Sequence, residues 1–430
     1  MIGERTEKRN PSSAFVLGIH YLGEAADQSS SLLDELCDLV EALGISVRLR
    51  EMIPLKRPSP RYLLGEGKFQ NIVERAKAND CGCIVFDAAL SPGQQRNWEA
   101  QSGICVIDRQ EVILEIFAQR AKTKEAVLQV ELARMEYSLP RLRRAWTHLN
   151  RQRGGGVTQR GEGEAQIEID QRLVRNRISH LRKDLERVVK QRSTQRKRRL
   201  RVPVPTAALV GYTNAGKTSL LNRLAGSQLY VKNKLFATLD PTIRRITLPS
   251  GRDLLLTDTV GFIRNLPHQI VEAFKATLEE AVVSDILIHV LDVNNPDLES
   301  HRETTLKILK DLGAEDKPML TVYNKIDLFD EDRNQDQGNL DVRGGVNFSA
   351  ETGEGENQLL LKIDHTLEDE AQFFELLLPH SRYDLVNRLY EIGTIKKSNV
   401  VDAGVHIKGT ISYRLYPQFA KYAARQGLEP

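Results

Sequence analysis

The stretch "GYTNAGKTSL", Gly211 to Leu220, limits what this chain can fold into more than any other. It fits G-x-x-x-x-G-K-[ST], with Gly211, Gly216, Lys217 and Thr218 at the required positions. The apolar run "TAALV" leads into it. "SLLNRLAG", apolar on one face and closed by Gly226, leads out. Strand, glycine loop and helix in that order predict a mainly parallel sheet with crossover helices. The N–H groups from Asn214 to Thr218 would surround a β-phosphate at a helix N-terminus, with Tyr212, Thr213 and Ala215 in the same loop. Lys217 would neutralise β/γ oxygens and the Thr218 hydroxyl would bind Mg²⁺. The alternative is a glycine-rich turn with an exposed lysine, and the flanking elements argue against it.

Base choice is expected elsewhere. In "MLTVYNKIDL" an apolar strand ends in Asn324, Lys325, Ile326 and Asp327. A carboxylate there can accept from both guanine N1–H and the exocyclic amine, a pair that adenine does not offer. A mismatched base would leave it unpaired, so discrimination should be large. "VNFSAETG" adds Ser349, Ala350 and Glu351, where a backbone N–H could meet guanine O6. Between the two lies "LLLTDTVGF", with Asp258, Thr259, Val260, Gly261 and Phe262 as a γ-phosphate sensor. Asp258 would reach Mg²⁺ through water, and Gly261 would donate its N–H and permit the hinge. In "FATLDPT" (Phe236, Ala237, Thr238, Leu239, Asp240), Thr238 is the expected switch threonine and second metal ligand, with Thr242 as runner-up. These elements in order imply a Mg²⁺-dependent GTPase. Phe262 stands where Ras-like proteins carry a water-orienting glutamine, so unassisted hydrolysis is expected to be slow.

Composition bounds the rest. At 430 residues the chain exceeds one hydrophobic core, so several domains are expected. No apolar run approaches the ~20 residues of a membrane helix, and "MIGERTEKRN" has no apolar leader, so a cytoplasmic protein is expected. The four cysteines form no disulfide framework, and Cys81 and Cys83 lack a second metal-ligating pair, so structural thiols are expected. The net charge of +3 hides an asymmetry, because Arg141 to Arg201 holds nineteen Lys and Arg against six Asp and Glu. A basic segment on an otherwise acidic chain suggests a polyanionic partner, with a solvated helix face as the bland reading.

Residues 14–109 alternate strand and helix patterns, which predicts a small α/β sheet. A long helical stretch follows. Leu128, Leu132, Met135, Leu139, Leu142, Trp146 and Leu149 repeat at 4-3 spacing, as do Val174, Ile178, Leu181, Leu185 and Val188. Two such seams joined by "RGGGVTQRGEGE" predict a helical hairpin with a glycine-rich tip. Arg151, Arg153 and Arg160 flank that tip, and Arg143, Arg144, Arg172 and Arg175 form a collar behind it as RNA-binding candidates. The expected organisation is an N-terminal region over 1–202 (α/β part about 13–110, helical hairpin about 111–201). A P-loop GTPase domain over 203–369 and a small α+β domain over 370–430 follow.

Beyond these motifs, the chain resembles the HflX GTPases over most of its length. The likeness rests on "RYLLGEGK" (Arg61 to Lys68), "LSPGQQRNWE" (Leu90 to Glu99) and the stretch from Ile107 to Leu142. "GGGVTQRGEGE" and "FATLDPT" before "DTVGFI" add to it. Where the family's tip reads closer to R-G-P-G-E, Glu162 stands here in place of proline, adding an acid where RNA contact would be expected. The C-terminal part matches less clearly. The resemblance implies a Mg²⁺-dependent GTPase that binds the large ribosomal subunit, places the hairpin tip near the peptidyl-transferase centre and splits stalled ribosomes. A monomer is expected. The alternatives are a nucleotide-dependent RNA-remodelling protein without ribosome preference, and a GTPase at a membrane surface, which only "RKRRLR" (Arg196 to Arg201) would favour.

Overall fold

In the computed structural model, strand β1 (Ser13–Tyr21) is buried from its first residue through the seventh. A strand without a polar face must be covered on both sides, which is the situation of a parallel sheet flanked by helices. β1 pairs in parallel with β2 (Ser46–Leu55) and β3 (Cys83–Phe86), and β4 (Cys105–Asp108) extends the sheet in the order β2-β1-β3-β4. Helices α1 (Ala26–Ala42), α2 (Glu66–Ala78) and α3 (Pro92–Ser102) make the crossovers. The structure describes residues 11–23, 26–142, 159–199, 204–226, 236, 239, 241–264, 280–328, 344–369, 371–412 and 416–423.

The capping of α3 follows the sequence. The Ser91 hydroxyl accepts from the Gln94 N–H, the Gln94 side chain accepts from the Ser91 N–H, and Pro92 occupies the first turn. Around it the core is aromatic. Trp98 meets Phe69 and Phe86 edge to face, and its Nε1 donates to the Tyr62 carbonyl.

The expected long helical stretch is split in two, α4 (Arg109–Arg120) and α5 (Lys124–Leu142). The physical cause is a second cap, because the Thr123 hydroxyl accepts from the Ala126 N–H and restarts the helix. Pro140 lies in the last turn of α5. Helix α6 (Gln159–Arg199) begins inside the segment expected to be a glycine loop, so Arg160 stands on a helix. Leu128, Leu132, Met135 and Leu139 pack against Val174, Ile178, Leu181 and Leu185, as both seams predict. Arg177 and Arg182 add ion pairs to Glu131 and Glu136.

The second sheet has the order β10-β9-β8-β5-β7-β6. It consists of β5 (Thr206–Val210), β6 (Thr242–Thr247), β7 (Asp253–Asp258), β8 (Ile286–Asp292), β9 (Met319–Asn324) and β10 (Val346–Phe348). Only β6 runs antiparallel. Helices α7 (Lys217–Leu224), α8 (Leu298–Asp311) and α9 (Glu356–Asp369) cover it. A third, antiparallel sheet of order β11-β13-β12 contains β11 (Ala371–Leu378), β12 (Gly393–Val401) and β13 (Gly404–Ser412), with α10 (Tyr383–Ile392) against it. Beyond Ser412 the described residues form short 3-10 turns. Among the described residues, no helix is long and apolar enough to cross a membrane.

The chain packs as two compact units. The first holds the described residues up to 191 together with 236, 239 and 260–264, and the second holds the others. In the first unit, Asp108 joins the sheet to the helices. It is buried at the end of β4, accepts from the N–H groups of Leu90 and Glu111 and from the Tyr137 hydroxyl, and pairs with Arg141. Burial, with the Asp108 carboxylate beside it, pushes the Tyr137 phenol above its ordinary range. Removing one partner of a buried charged network costs about 3–5 kcal/mol, and losing one hydrogen bond about 1 kcal/mol. Asp108→Ala should therefore lower the unfolding temperature of the full chain far more than Tyr137→Phe, measured by calorimetry. Equal effects would show that Asp108 does not carry this junction.

Candidate nucleotide site

β5 is the interior strand from which the glycine loop departs, between β7 and β8. Its register against β8 brings Val210 opposite His289, so Gly211 leaves the sheet beside the Val290 carbonyl. Gly211 has φ 144° and a Cβ there would meet the Val290 oxygen at 2.3 Å, which no side chain tolerates. Gly216 has φ 94°, and its Cβ would lie 2.1 Å from Asn324 Nδ2. Both glycines of the motif are thus required by neighbours on β8 and β9, and the loop then opens α7 at Lys217.

Lys217 is 6% exposed, and its Nζ donates to the Gly211 and Tyr212 carbonyls at 3.0 and 2.7 Å. The ammonium thus lies under the loop whose N–H groups face outward in such motifs. Burial lowers its pKa to about 8, with the Asp258 carboxylate opposing that shift. The Thr218 hydroxyl donates to Asp258 Oδ2 at 2.7 Å. A hydroxyl and a buried carboxylate at that separation offer hard oxygens, the donor type that suits magnesium. No group of three or more His, Cys, Asp or Glu among the described residues could hold a metal. A magnesium ion shared with phosphates and water needs no such group, so the residues present fit it. Thr259 is buried and its hydroxyl donates to the Leu209 carbonyl at 2.6 Å, which ties the end of β7 to β5.

Asn324 is buried and belongs to both halves of the site. Its Nδ2 donates to the Ala215 carbonyl at 2.8 Å, and its Oδ1 accepts the Ala350 N–H at 3.1 Å. The residue expected at the base therefore bridges the phosphate loop and the S-A loop. Lys325 takes a positive φ of 68°, and its Nζ pairs with Asp292 at 2.7 Å. Asn294 donates to the Lys325 carbonyl at 2.7 Å, which holds that strained turn. Asp327 is exposed next to Ile326, and its carboxylate accepts from the Ser349 hydroxyl at 2.5 Å. Ser349 is itself buried and also accepts the Thr352 N–H, while Ala350 and Glu351 follow in the turn. One edge of the site thus presents a carboxylate oriented by a hydroxyl.

Val260, Gly261 and Phe262 are buried, and Phe262 is only 2% exposed. Phe236 and Leu239 are buried as well. Ala237, Thr238 and Asp240 lie outside the described residues, and so do Arg143, Arg144, Arg151 and Arg153. Thr242 is the first residue of β6, paired with Asp258. Arg172 and Arg175 are exposed on α6.

Several residues at this site carry no sequence signal. His301 of α8 stacks on Tyr212 with ring centres 3.5 Å apart, and only the pairing of β8 with β5 brings α8 over the loop. Asp292 and Asn294 sit at the end of β8 in "LDVNNPD", where an apolar strand running into two acids and two asparagines is the one available hint.

A parallel sheet with this loop, a carboxylate bonded to the loop threonine and a linked N-K-x-D turn defines a P-loop GTPase. Three family models match in sequence order: "GTP-binding GTPase N-terminal" over 30–118, "GTP-binding GTPase Middle Region" over 120–199 and "50S ribosome-binding GTPase" over 206–325. The GTPase HflX of Akkermansia muciniphila is 46% identical over 96% of this chain and 97% of its own. That of Escherichia coli is 43% identical over 88% and 89%. The chain belongs to the GTPase HflX family, as the sequence resemblance implied, and it hydrolyses GTP. A crystal structure of a GTP-binding protein from Sulfolobus solfataricus in complex with GDP is 27% identical, with a TM-score of 0.45 over 83% of this chain and 98% of that one.

The buried ammonium has a pH consequence. Phosphate oxygens bound around Lys217 would favour its charged form, so its pKa would rise on binding from about 8. Below pH 8 both states hold the proton and this group adds no pH dependence. Above pH 8 the free protein has lost a proton that the complex keeps, so affinity falls by up to about tenfold per pH unit. GDP titrations at pH 7, 8 and 9 should show that fall, and Lys217→Arg should flatten it. A wild-type slope equal to the variant's would contradict the assignment.

Proposed function

We propose that this GTPase is a ribosome-bound switch whose nucleotide is held by residues 211–218 and read at its base by Asp327. The bridge that Asn324 makes from Ala215 to Ala350 carries this reading, because it joins a phosphate cradle to a base-reading turn. Gly211 to Thr218 cradle the phosphates, with Lys217 turning from the loop's own carbonyls to theirs. Asp327, oriented by Ser349, would accept the two guanine donors, a pair that adenine does not offer. Thr218 and Thr238 would hold a magnesium ion, which supplies neutralisation of phosphate charge. Asp258 keeps Thr218 aligned, and Gly261 offers its N–H to the γ-phosphate.

Phe262 cannot hydrogen-bond an attacking water, so basal turnover should be near the ~10⁻⁴–10⁻³ s⁻¹ of an unassisted Ras-like protein. The partner is the large ribosomal subunit, on two grounds: the "50S ribosome-binding GTPase" model that matches 206–325, and the basic helix α6 with exposed Arg172 and Arg175. The hairpin would meet ribosomal RNA through the arginines at 143, 144, 151, 153 and 160, and the docked GTP form would separate stalled ribosomes into subunits. On this reading the protein would work in the cytoplasm, partly on ribosomes.

Hydrolysis should be accelerated by isolated large subunits, and not by small subunits or naked RNA. Equal stimulation by naked RNA would favour an RNA-remodelling protein without ribosome preference. Asp327→Asn should shift preference from guanine to xanthine nucleotides in competition binding. Equal ATP and GTP binding by the wild type would contradict the base-reading assignment.

A further inference from the structure

The turn that follows β10 has a second support besides Asn324, and it comes from the helix that starts at the phosphate loop. Arg223 lies in the last turn of α7. Its Nη2 donates to the Thr352 carbonyl at 3.2 Å, and its Nε donates to Glu356 Oε2 at 3.0 Å. Glu356 is the first residue of α9. One guanidinium therefore holds the turn over 349–355 near its middle and at its exit. Arg223 is 40% exposed and Glu356 32%, so the ion pair itself contributes little. What the planar fork adds is direction, since two donors fixed in one plane meet two acceptors.

The turn is closed by its own backbone. The Gly353 N–H donates to the Ser349 carbonyl at 2.8 Å, and the Ser349 N–H donates to the Glu354 carbonyl at 3.0 Å. Gly353 has φ 85° and Gly355 has φ 82°. A Cβ on Gly353 would collide with Arg223 Nη2, and one on Gly355 with the Asn347 carbonyl of β10. Glycine at 353 thus lets the backbone approach the guanidinium more closely than any other residue allows. From there the path to the base is short. Thr352 is held at its carbonyl by Arg223, and its N–H donates to the Ser349 hydroxyl at 3.0 Å. That hydroxyl in turn donates to Asp327. Arg223, Thr352, Ser349 and Asp327 all belong to the second compact unit.

We propose that Arg223 is a positioning residue for guanine selection, holding Thr352 so that the Ser349 hydroxyl keeps the Asp327 carboxylate aimed at the base. The inference rests on Asp327 as the base-reading group, and it adds a residue of α7 that lies outside the N-K-x-D and S-A motifs. A carboxylate that accepts two donors needs both oxygens in the plane of the base, whereas one that accepts a single donor tolerates a tilt. Loss of Arg223 must then weaken guanine more than a base with one donor. Hypoxanthine, which keeps N1–H and lacks the exocyclic amine, is such a base.

The test is calorimetric titration of the full chain with GDP and with inosine diphosphate. Wild type should prefer GDP by about tenfold or more, the effect of one hydrogen bond to a charged acceptor. Arg223→Ala should weaken GDP about fivefold and inosine diphosphate less than about twofold, so the preference falls by about threefold. Arg223→Lys presents a single point charge in place of the fork and should restore part of that preference. Equal losses for the two nucleotides, with the preference intact, would overturn the positioning role, because they indicate a general loosening of the site. Unchanged affinity of Arg223→Ala for both would overturn it as well. Equal binding of the two nucleotides by the wild type is a different result, since it would overturn the reading at Asp327 on which the inference stands.

Discussion

The nucleotide site depends on one carboxamide. Asn324 ends β9, is buried, and spends its amide on Ala215 and its oxygen on Ala350. Asn324 stands 109 residues beyond the first of these loops and 26 before the second. A buried amide left unpaired costs as much as the bond it would make, so both loops are fixed or neither is. The position of Asn324 is also why Gly216 must be glycine, since any Cβ there would strike its Nδ2.

Much of this was legible in the sequence because chemistry at short range leaves short motifs. The glycine loop, Asp258 at a strand end, the N-K-x-D turn and the Ser91 cap each depend on a few consecutive residues, and each appears where the pattern puts it. The alternation over 14–109 likewise predicted a small α/β sheet, which the structure forms. Features that depend on tertiary pairing were not legible. The stacking of His301 on Tyr212 follows from strand order, which no local pattern encodes. The break between α4 and α5 hangs on one threonine just ahead of the apolar seam that begins at Leu128, and α6 starts inside the stretch whose glycines suggested a loop. Asn324 was read as a base contact, and its bridging bonds emerge only once β9 and β5 lie in one sheet.

The division into two compact units follows the same logic. The residues that build a phosphate cradle cluster with the second sheet, whereas the segments after Asp258 and around Phe236 gather with the N-terminal helices. Buried ion pairs are costly to separate, so a network such as Arg109, Glu35 and Arg264 favours discrete arrangements over gradual ones. Phe262 is packed in the interior, where its ring can only add to the core.

The most direct test of this account is calorimetric titration of Asn324→Ala with GDP. The variant loses two buried hydrogen bonds and leaves a carbonyl and an N–H without their partner, a loss of roughly 3 kcal/mol and so about a hundredfold in affinity. The account predicts that loss with the first compact unit's unfolding temperature unchanged. GDP affinity within about threefold of wild type would contradict it, because the phosphate loop and the base-reading turn would then hold their places without the bridge.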